Sequence, residues 1–454
     1  VIQHPASLVP VVKPPFECSP ELARLRWRSS RNIALATETL STELPAALSG
    51  TMSQPTKVIV LAWLGLFISG YNNFIIGLAL LQIRPAFHLA AQGSGAVAAA
   101  TLAGMLLGAL SLGRLADRVG RRPALLVDLT LVAAFALASA MVQSVPELIL
   151  ARLLLGTGIG AGYPVGSSFV ADVSPARWRG RLMTLAFSGW GVGAFGATVV
   201  GWLVLRGTDN GQGWRLMLAS GTVPALLALL LVAVVRLPES PRWAAAHRLP
   251  VLPSRRLRQR PLMKLTVAVL VPWFLMDLSI YGVGLYTPTI LLGLGLRSSA
   301  LVALGTVLLS SFTLAGFAGA ASLIDVVGRR RLQYWGFFAM AATLLAIAVS
   351  GPRPPVILLL ALFGGFQFAA NMGPNTTTWI VPAELFPTRI RATAQGSATA
   401  FSRVGAVIGV LALPPLVVWV GLAPALVLAA VSSLLGMALT VVLLPETRGM
   451  ELRD

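Results

Sequence analysis

Twelve apolar stretches, each long enough to cross a bilayer as a helix, recur along this chain of 454 residues with short polar connections between them. They lie near 58–81, 90–112, 123–142, 146–171, 182–205 and 214–235, and then, after a polar, arginine-rich stretch from Arg236 to Lys264, near 263–291, 299–324, 332–350, 354–381, 396–419 and 421–444. A hydrocarbon core about 30 Å thick needs about 20 apolar residues per helix. Lipid offers no hydrogen-bond partner, so each run must satisfy its backbone internally. That predicts an all-α integral membrane protein of twelve transmembrane helices, six plus six. Only 11% of the residues are charged and 56% are apolar, with a mean hydropathy of +0.80. A soluble domain carries about 25% charge, so these figures exclude one, and they exclude disorder as well.

The net charge of +19 comes from 35 Lys and Arg against 16 Asp and Glu. In a soluble chain that excess would suggest a nucleic-acid partner. Here the cations sit in short clusters between apolar runs, with no basic face and no RNA-binding aromatic motif, so no nucleic-acid partner is expected and the lipid bilayer is the surface they meet. The loops after spans 2, 4, 6, 8 and 10 and the C-terminal tail hold 22 Lys and Arg, whereas the alternate loops hold five. The positive-inside rule then places both termini in the cytoplasm of a protein in a cell membrane, plasma or bacterial inner. Cys18 is the only cysteine and His4, His88 and His247 are scattered, so neither an intrachain disulfide nor a metal site is expected. With no nucleophile–base or metal constellation the chain does not read as an enzyme, and no cofactor is implied.

Residues 1–55 differ in texture. Pro5, Pro10, Pro14 and Pro15 precede a basic stretch around Arg24, Arg26, Arg28 and Arg31, with no long apolar core, so the segment is neither signal peptide nor span. It reads as disordered or, because Met52 is followed by SQPTK and then the first apolar run, as a start placed too early, in which case a chain beginning at Met52 inserts normally. The expected organisation is then a six-helix bundle over 56–240, a cytoplasmic linker over 241–262, a second bundle over 263–445 and a tail over 446–454.

The halves repeat each other. Asp117 in GRLADRVGRR pairs with Asp325 in SLIDVVGRRR at an offset of 208, and Pro238-Glu239 with Pro445-Glu446 at 207. Asp172, Pro175, Arg177 and Arg179 of DVSPARWRG match Glu384, Pro387, Arg389 and Arg391 of AELFPTRIRA, each at 212. Three pairings at nearly one spacing argue for duplicated six-helix bundles, a repeat used by many transporters. On these residues the chain resembles the major facilitator superfamily from about residue 56 onward. GRLADRVGRR resembles that superfamily's loop signature. Arg152 with Gly156, Gly158 and Gly160, PESPRW at 238–243 and PETRG at 445–449 resemble its sugar-porter-like branch. WFLMDLSIYG, GPNTTTW and the ELFPTR segment resemble the phosphate:proton symporters.

In the loop between spans 2 and 3, Gly113 and Gly120 permit a tight turn, Asp117 can accept from helix-end amides, and Arg118, Arg121 and Arg122 can pair with it or with lipid phosphates. Topology alone is one reading of this cluster. The resemblance implies another, a charge latch holding the bundles together in the outward-facing state, with Asp325 and Arg329 as its weaker mirror. GTGIGAG at 156–162 contains a G-x-G-x-x-A pattern, but no strand precedes it, so close helix approach accounts for it better than a dinucleotide loop.

Trp273, Asp277 and Tyr281 step by four, which puts an indole, a carboxylate and a phenol on one face of span 7. Asp277 lies 13 residues beyond Lys264, about 20 Å into the membrane, where an acid is costly unless it is paired, protonated or faces a water-filled cavity. Gln367, Asn371 and Asn375 repeat the spacing in span 10 beside Pro374, which frees a carbonyl and kinks the helix; they read as cavity lining or as polar glue between helices. Arg403 in span 11 lies 12 residues beyond Arg391, about 18 Å deep. It either pairs with an acid such as Asp277 or offers a fixed positive charge to an anion. Arg152 reads as structural, and Asp128, about 8 Å from the basic cluster of the loop between spans 2 and 3, as the partner of one of those arginines.

Against the phosphate-symporter pattern, Ser69 and Asn72 stand in span 1 where acids are expected, Gly162-Tyr163-Pro164 replaces Asp-Tyr-Pro in span 4, and Trp190 replaces a glutamine in span 5. Tyr163 is retained while the first-half proton relay is absent. The solute then differs from phosphate, coupling runs through Asp277 alone, or the protein is a facilitator. The resulting expectation is a secondary transporter, functional as a monomer, that rocks two bundles around a central cavity lined by Tyr163, Trp190, Trp273, Asp277, Tyr281, Gln367, Asn371, Asn375 and Arg403. Its expected cargo is a small anion such as phosphate or an organic acid, with protons. A sugar or aromatic-acid porter, an uncoupled facilitator and a non-transporting sensor are the alternatives. Arg403 weighs against a sugar, and the lack of an added soluble domain against a sensor.

Overall fold

A computed structural model describes residues 53–207, 211–235, 260–293, 298–351 and 355–452. The chain divides into a unit of Val1–Thr56, of which four residues are described, and a unit of Lys57–Asp454, which the following concerns. The expected N-terminal segment and the linker over 241–262 lie almost wholly outside the described residues. Twelve helices among the described residues are long and apolar enough to span a membrane. The first six are Gln54–Ala86, Ala91–Val119, Arg121–Met141, Val145–Val173, Arg179–Gly207 and the pair Gly213–Ser220 and Thr222–Val235. The second six are Arg260–Leu285 with its extension Thr287–Gly293, Ser299–Val327, Arg329–Val349, the pair Val356–Met372 and Pro374–Leu385, Arg391–Val420 and Leu422–Leu443.

Helix ends follow local chemistry. Span 4 opens on a reciprocal cap in which the Ser144 hydroxyl accepts from the Glu147 amide and Glu147 accepts from the Gln143 amide at 2.8 Å. Spans 2 and 8 each stop at a glycine in the left-handed half of backbone space, Gly120 at φ +107° and Gly328 at φ +97°, in the two copies of the loop motif. Three runs that read as continuous from hydropathy are interrupted. Span 6 breaks at Gly221, span 7 at Tyr286 and span 10 at Gly373, where Pro374 lacks the amide that would continue the helix. Hydropathy cannot register such breaks, because the residues on both sides of them are apolar.

Glycines set the packing, and the packing repeats. A Cβ at Gly108 would lie 1.9 Å from the Thr157 carbonyl and one at Gly160 2.2 Å from the Met105 carbonyl, so spans 2 and 4 meet backbone to backbone. The GTGIGAG segment therefore serves close helix approach. Its second-half counterpart is the contact of spans 8 and 10 at Gly316, 2.6 Å from the Phe368 carbonyl by the same measure. Spans 1 and 5 touch at Gly193 against the Phe67 carbonyl, and their counterparts, spans 7 and 11, at Gly409 against the Leu278 carbonyl. Between bundles the pairing is span 2 with span 11, at Gly396 against the Ala109 carbonyl, and span 5 with span 8, at Gly191 against the Phe317 ring.

At the basic end the bundles are tied together twice by one device. Asp117, at the end of span 2, accepts from the amide and the hydroxyl of Thr393 in the first turn of span 11, at 2.7 and 2.6 Å. Asp325, at the end of span 8, accepts from the amide of Arg181 in the first turn of span 5 at 2.8 Å. Each carboxylate thus caps a helix N-terminus of the other bundle, where free amides and the helix dipole favour negative charge. A third tie joins Asp172 of span 4 to Arg391 at the start of span 11. Arg329, fully buried, pairs with Asp325 and with Glu384, both at 2.8 Å, and its amide donates to Glu446.

Candidate functional site

Span 7 carries Asp277 inward and span 11 carries Arg403 opposite it, because Gly405 and Gly409 let the two helices approach until their side chains meet. Arg403 Nη1 donates to Asp277 Oδ2 at 2.5 Å, and both side chains are 2% exposed. The sequence left open whether Arg403 pairs with an acid; in this conformation it does. Moving two charges out of water costs several kcal/mol per ion, so the pair persists only because each supplies the other's counter-charge at contact distance. The guanidinium also lies between two phenol rings, 4.7 Å from the centroid of Tyr163 and 5.1 Å from that of Tyr281. Tyr163 comes from span 4 of the first bundle and Tyr281 from span 7 of the second, so the cation sits at the seam. The Tyr163 hydroxyl also accepts from Ser69 of span 1 at 3.3 Å.

An aromatic wall continues from Tyr163 across the seam. Phe187 packs against Tyr163, stacks on Trp379 of span 10 at 4.8 Å with an interplanar angle of 8°, and meets Phe317 of span 8 edge-on at 5.5 Å. Trp190, one turn further along span 5, meets Phe74 edge-on. Sequence reasoning missed Phe187, Phe317 and Trp379. Each is one aromatic residue among many in an apolar run, and only the fold reveals that they converge.

The polar residues of span 10 form a separate ladder. Asn375 donates to Asn371 Oδ1 at 2.7 Å, and Asn371 donates to the Gln367 carbonyl at 2.7 Å and to Thr313 of span 8 at 3.5 Å. Gln367 is half-buried and enters through its backbone carbonyl. The break at Gly373 frees carbonyls that Thr376 and Thr377 recapture with their hydroxyls. None of these described hydrogen bonds reaches the Arg403–Asp277 pair.

Several buried donors and acceptors of spans 5, 7, 10 and 11 have no hydrogen-bond partner among the described residues: Arg403 Nε, Thr399 Oγ1 and the indole nitrogens of Trp190, Trp273 and Trp379. Buried polar atoms are nearly always satisfied, so the unpartnered Nε of Arg403, beside Asp277, is suited to a ligand that brings an acceptor. Arg152 is fully buried as well and donates to the Asn72 carbonyl at 2.6 Å, tying span 4 to span 1, as a structural reading requires.

Two expectations need correcting. Asp128 has no basic partner among the described contacts. It lies about two helical turns beyond Arg121 and Arg122, and its carboxylate turns toward span 4, where a Cβ at Gly162 would be 3.3 Å from Oδ2 and the bare glycine leaves room for it. In this conformation Tyr163, Trp190, Trp273, Asp277, Tyr281, Asn371, Asn375 and Arg403 are all buried. Gly113, expected in the turn between spans 2 and 3, lies instead inside span 2, which runs on to Val119, and packs against the Ala392 carbonyl of span 11, so Gly120 makes the turn; the Arg121 side chain lies outside the described part.

Comparison with known proteins places this geometry. The sugar (and other) transporter family model matches residues 58–251 and 252–454. A protein of Escherichia coli (strain K12) named for metabolite transport, YaaU, is 34% identical over 414 residues, covering 86% of this chain and 91% of its own. The repressible high-affinity phosphate permease of Neurospora crassa is 25% identical over 443 residues, with 79% and 77% covered. The fold matches the solved structure of the proton:xylose symporter XylE with a TM-score of 0.74 at 22% identity, over 88% of this chain and 98% of that one. The chain is therefore a multi-pass membrane protein and a transporter, not an enzyme, and it belongs to the sugar (and other) transporter family.

Proposed function

We propose that this transporter moves a small anion, phosphate or an organic acid, together with a proton, and that Arg403 and Asp277 form the coupling site. The observation that carries the reading is the buried contact of Arg403 with Asp277 at the bundle seam, with Arg403 Nε left without a hydrogen-bond partner. A solute that brings an acceptor satisfies that donor, and a negative one replaces the counter-charge that Asp277 supplies. Two influences compete on Asp277: burial disfavours its charged form, and the adjacent guanidinium favours it. An anion that occupies Arg403 withdraws the second influence, so Asp277 takes up a proton as the anion loads. Neither ligand alone then produces the neutral, fully satisfied site that can reorient. The relatives named as phosphate permeases and transporters support the anion class.

The basic end, tied by Asp117 and Asp325, is the cytoplasmic one in this reading, with both termini beside it, and the protein works as a monomer. The acids of span 1 that would form a first-bundle relay are replaced by Ser69 and Asn72, so coupling rests on one carboxylate. Uptake of labelled phosphate, benzoate and xylose into proteoliposomes, each with and without an imposed pH gradient, tests the proposal. An anion should accumulate only with the gradient. Accumulation of xylose, or anion uptake indifferent to the gradient, would contradict it.

A further inference from the structure

A cavity of about 850 Å³ opens at the end of the molecule away from the basic loops. The end of span 1 (Leu80, Arg84) and the start of span 2 (Ser94) form its first-bundle wall. Tyr286 and Thr289, with aliphatic side chains from spans 9 to 12, form its second-bundle wall. Tyr286 is nine residues beyond Asp277, about 13 Å of helical rise, so this space is separate from the ion pair. Its chemistry is uneven. Among the described lining residues Arg84 alone is charged, and most of the others are aliphatic. The Tyr286 hydroxyl is buried without a hydrogen-bond partner, and the Arg84 charge acts on it electrostatically. Arg84 is itself exposed and also lines an adjoining cavity of about 360 Å³.

We propose that this cavity binds an amphipathic organic acid, an aromatic or branched aliphatic monocarboxylate. Its carboxylate pairs with Arg84 and accepts from the Tyr286 hydroxyl, while its apolar body lies against the aliphatic wall. A guanidinium matches a carboxylate in bidentate geometry, and the orphaned phenol lacks only an acceptor. A volume in the range of about 300–1,000 Å³ with a few convergent polar groups is typical of small-molecule sites. A hydrophilic inorganic anion would leave the aliphatic wall uncovered, and a neutral apolar molecule would leave Arg84 and Tyr286 unanswered. An anionic lipid shares the head-and-body chemistry, so the test must separate the two sources. The proposal goes beyond the transport reading and does not depend on which solute Arg403 takes.

Binding of 2-naphthoate and of its neutral analogue 2-naphthamide is measured by titration calorimetry on the purified full chain in a neutral detergent. Naphthoate should bind about tenfold or more tightly than naphthamide. Arg84→Gln and Tyr286→Phe should each weaken naphthoate about five- to tenfold, Arg84→Lys less, with naphthamide and the thermal unfolding of the free protein unchanged. Equal binding of acid and amide, or wild-type affinity in Arg84→Gln and Tyr286→Phe, would overturn the proposal. In nanodiscs, naphthoate affinity should be the same with phosphatidylcholine alone as with added phosphatidylglycerol. Competition by the anionic lipid would assign the cavity to lipid and overturn the organic-acid reading.

Discussion

Asp117→Asn changes one atom type and should change which way the transporter faces. Asp117 Oδ2 accepts two hydrogen bonds from Thr393, at 2.7 and 2.6 Å, and the residue is 8% exposed, so solvent screens the contact little. Asparagine keeps an acceptor oxygen and loses the charge. A hydrogen bond to a charged group contributes about 1.5–3 kcal/mol and a neutral one about 0.5–1.5, so two bonds lose about 2 kcal/mol together. The lost attraction to the N-terminus of span 11 adds about 0.3–1 kcal/mol. Thr393 belongs to the other bundle, so the loss falls only on the conformation in which the basic ends meet. A total of about 2–3 kcal/mol shifts that equilibrium about 30- to 150-fold toward separated ends. The chain's single cysteine, Cys18, can be replaced by serine, leaving spin labels at Val119→Cys and Val326→Cys, positions exposed at 48% and 65% on the two bundles. Pulsed dipolar spectroscopy should show the longer-distance population rising in Asp117→Asn. Identical distance distributions in the two proteins would refute the assignment of Asp117 as a tie between bundles.

Asp325→Asn should shift the distances in the same direction by about half the free energy, since one bond from the Arg181 amide is weakened rather than two, and because the two contacts join different helix pairs, the double variant should show nearly the sum of the two free energies in the same distance measurement. Gly193→Val places branched carbon where a Cβ alone would lie 2.0 Å from the Phe67 carbonyl, so the variant should fail to give monodisperse protein on size exclusion, whereas Gly65→Ala, with open space around it, should behave as wild type. Arg403→Met alone leaves Asp277 buried without its partner and should cost about 3–5 kcal/mol of apparent stability, while Asp277→Asn combined with Arg403→Met should recover much of it; thermal unfolding of the three proteins reads this directly.

Much of the architecture was legible because lipid imposes a simple rule. Apolar length marks each span, basic loops mark alternate ends, and repeated motifs mark the two halves. Asp277 and Arg403 were legible as charges too deep to be idle, and their contact was one of the two readings the sequence left open. The break at Gly373 was legible through Pro374, whereas those at Gly221 and Tyr286 were not, since hydropathy averages over a break with apolar residues on either side. Thr393 was invisible as the partner of Asp117 because what the carboxylate recognises is chiefly a backbone amide, and every residue but proline has one. Asp128 misled for a related reason: helical distance put it near arginines, whereas the missing side chain at Gly162 decided where its carboxylate points. The stack of Phe187 on Trp379 needs two spans of different bundles to converge, and no periodicity within either span encodes that.

The coupling role of Asp277 is tested most directly by comparing wild-type protein and Asp277→Asn in proteoliposomes loaded with the transported anion. Asparagine keeps the shape and a hydrogen-bond acceptor for Arg403 while removing the carboxyl group that binds and releases the proton. The variant should still exchange internal for external labelled anion, because Arg403 remains, and should no longer concentrate it when a pH gradient is imposed. Accumulation driven by the gradient in Asp277→Asn would contradict coupling through this carboxylate.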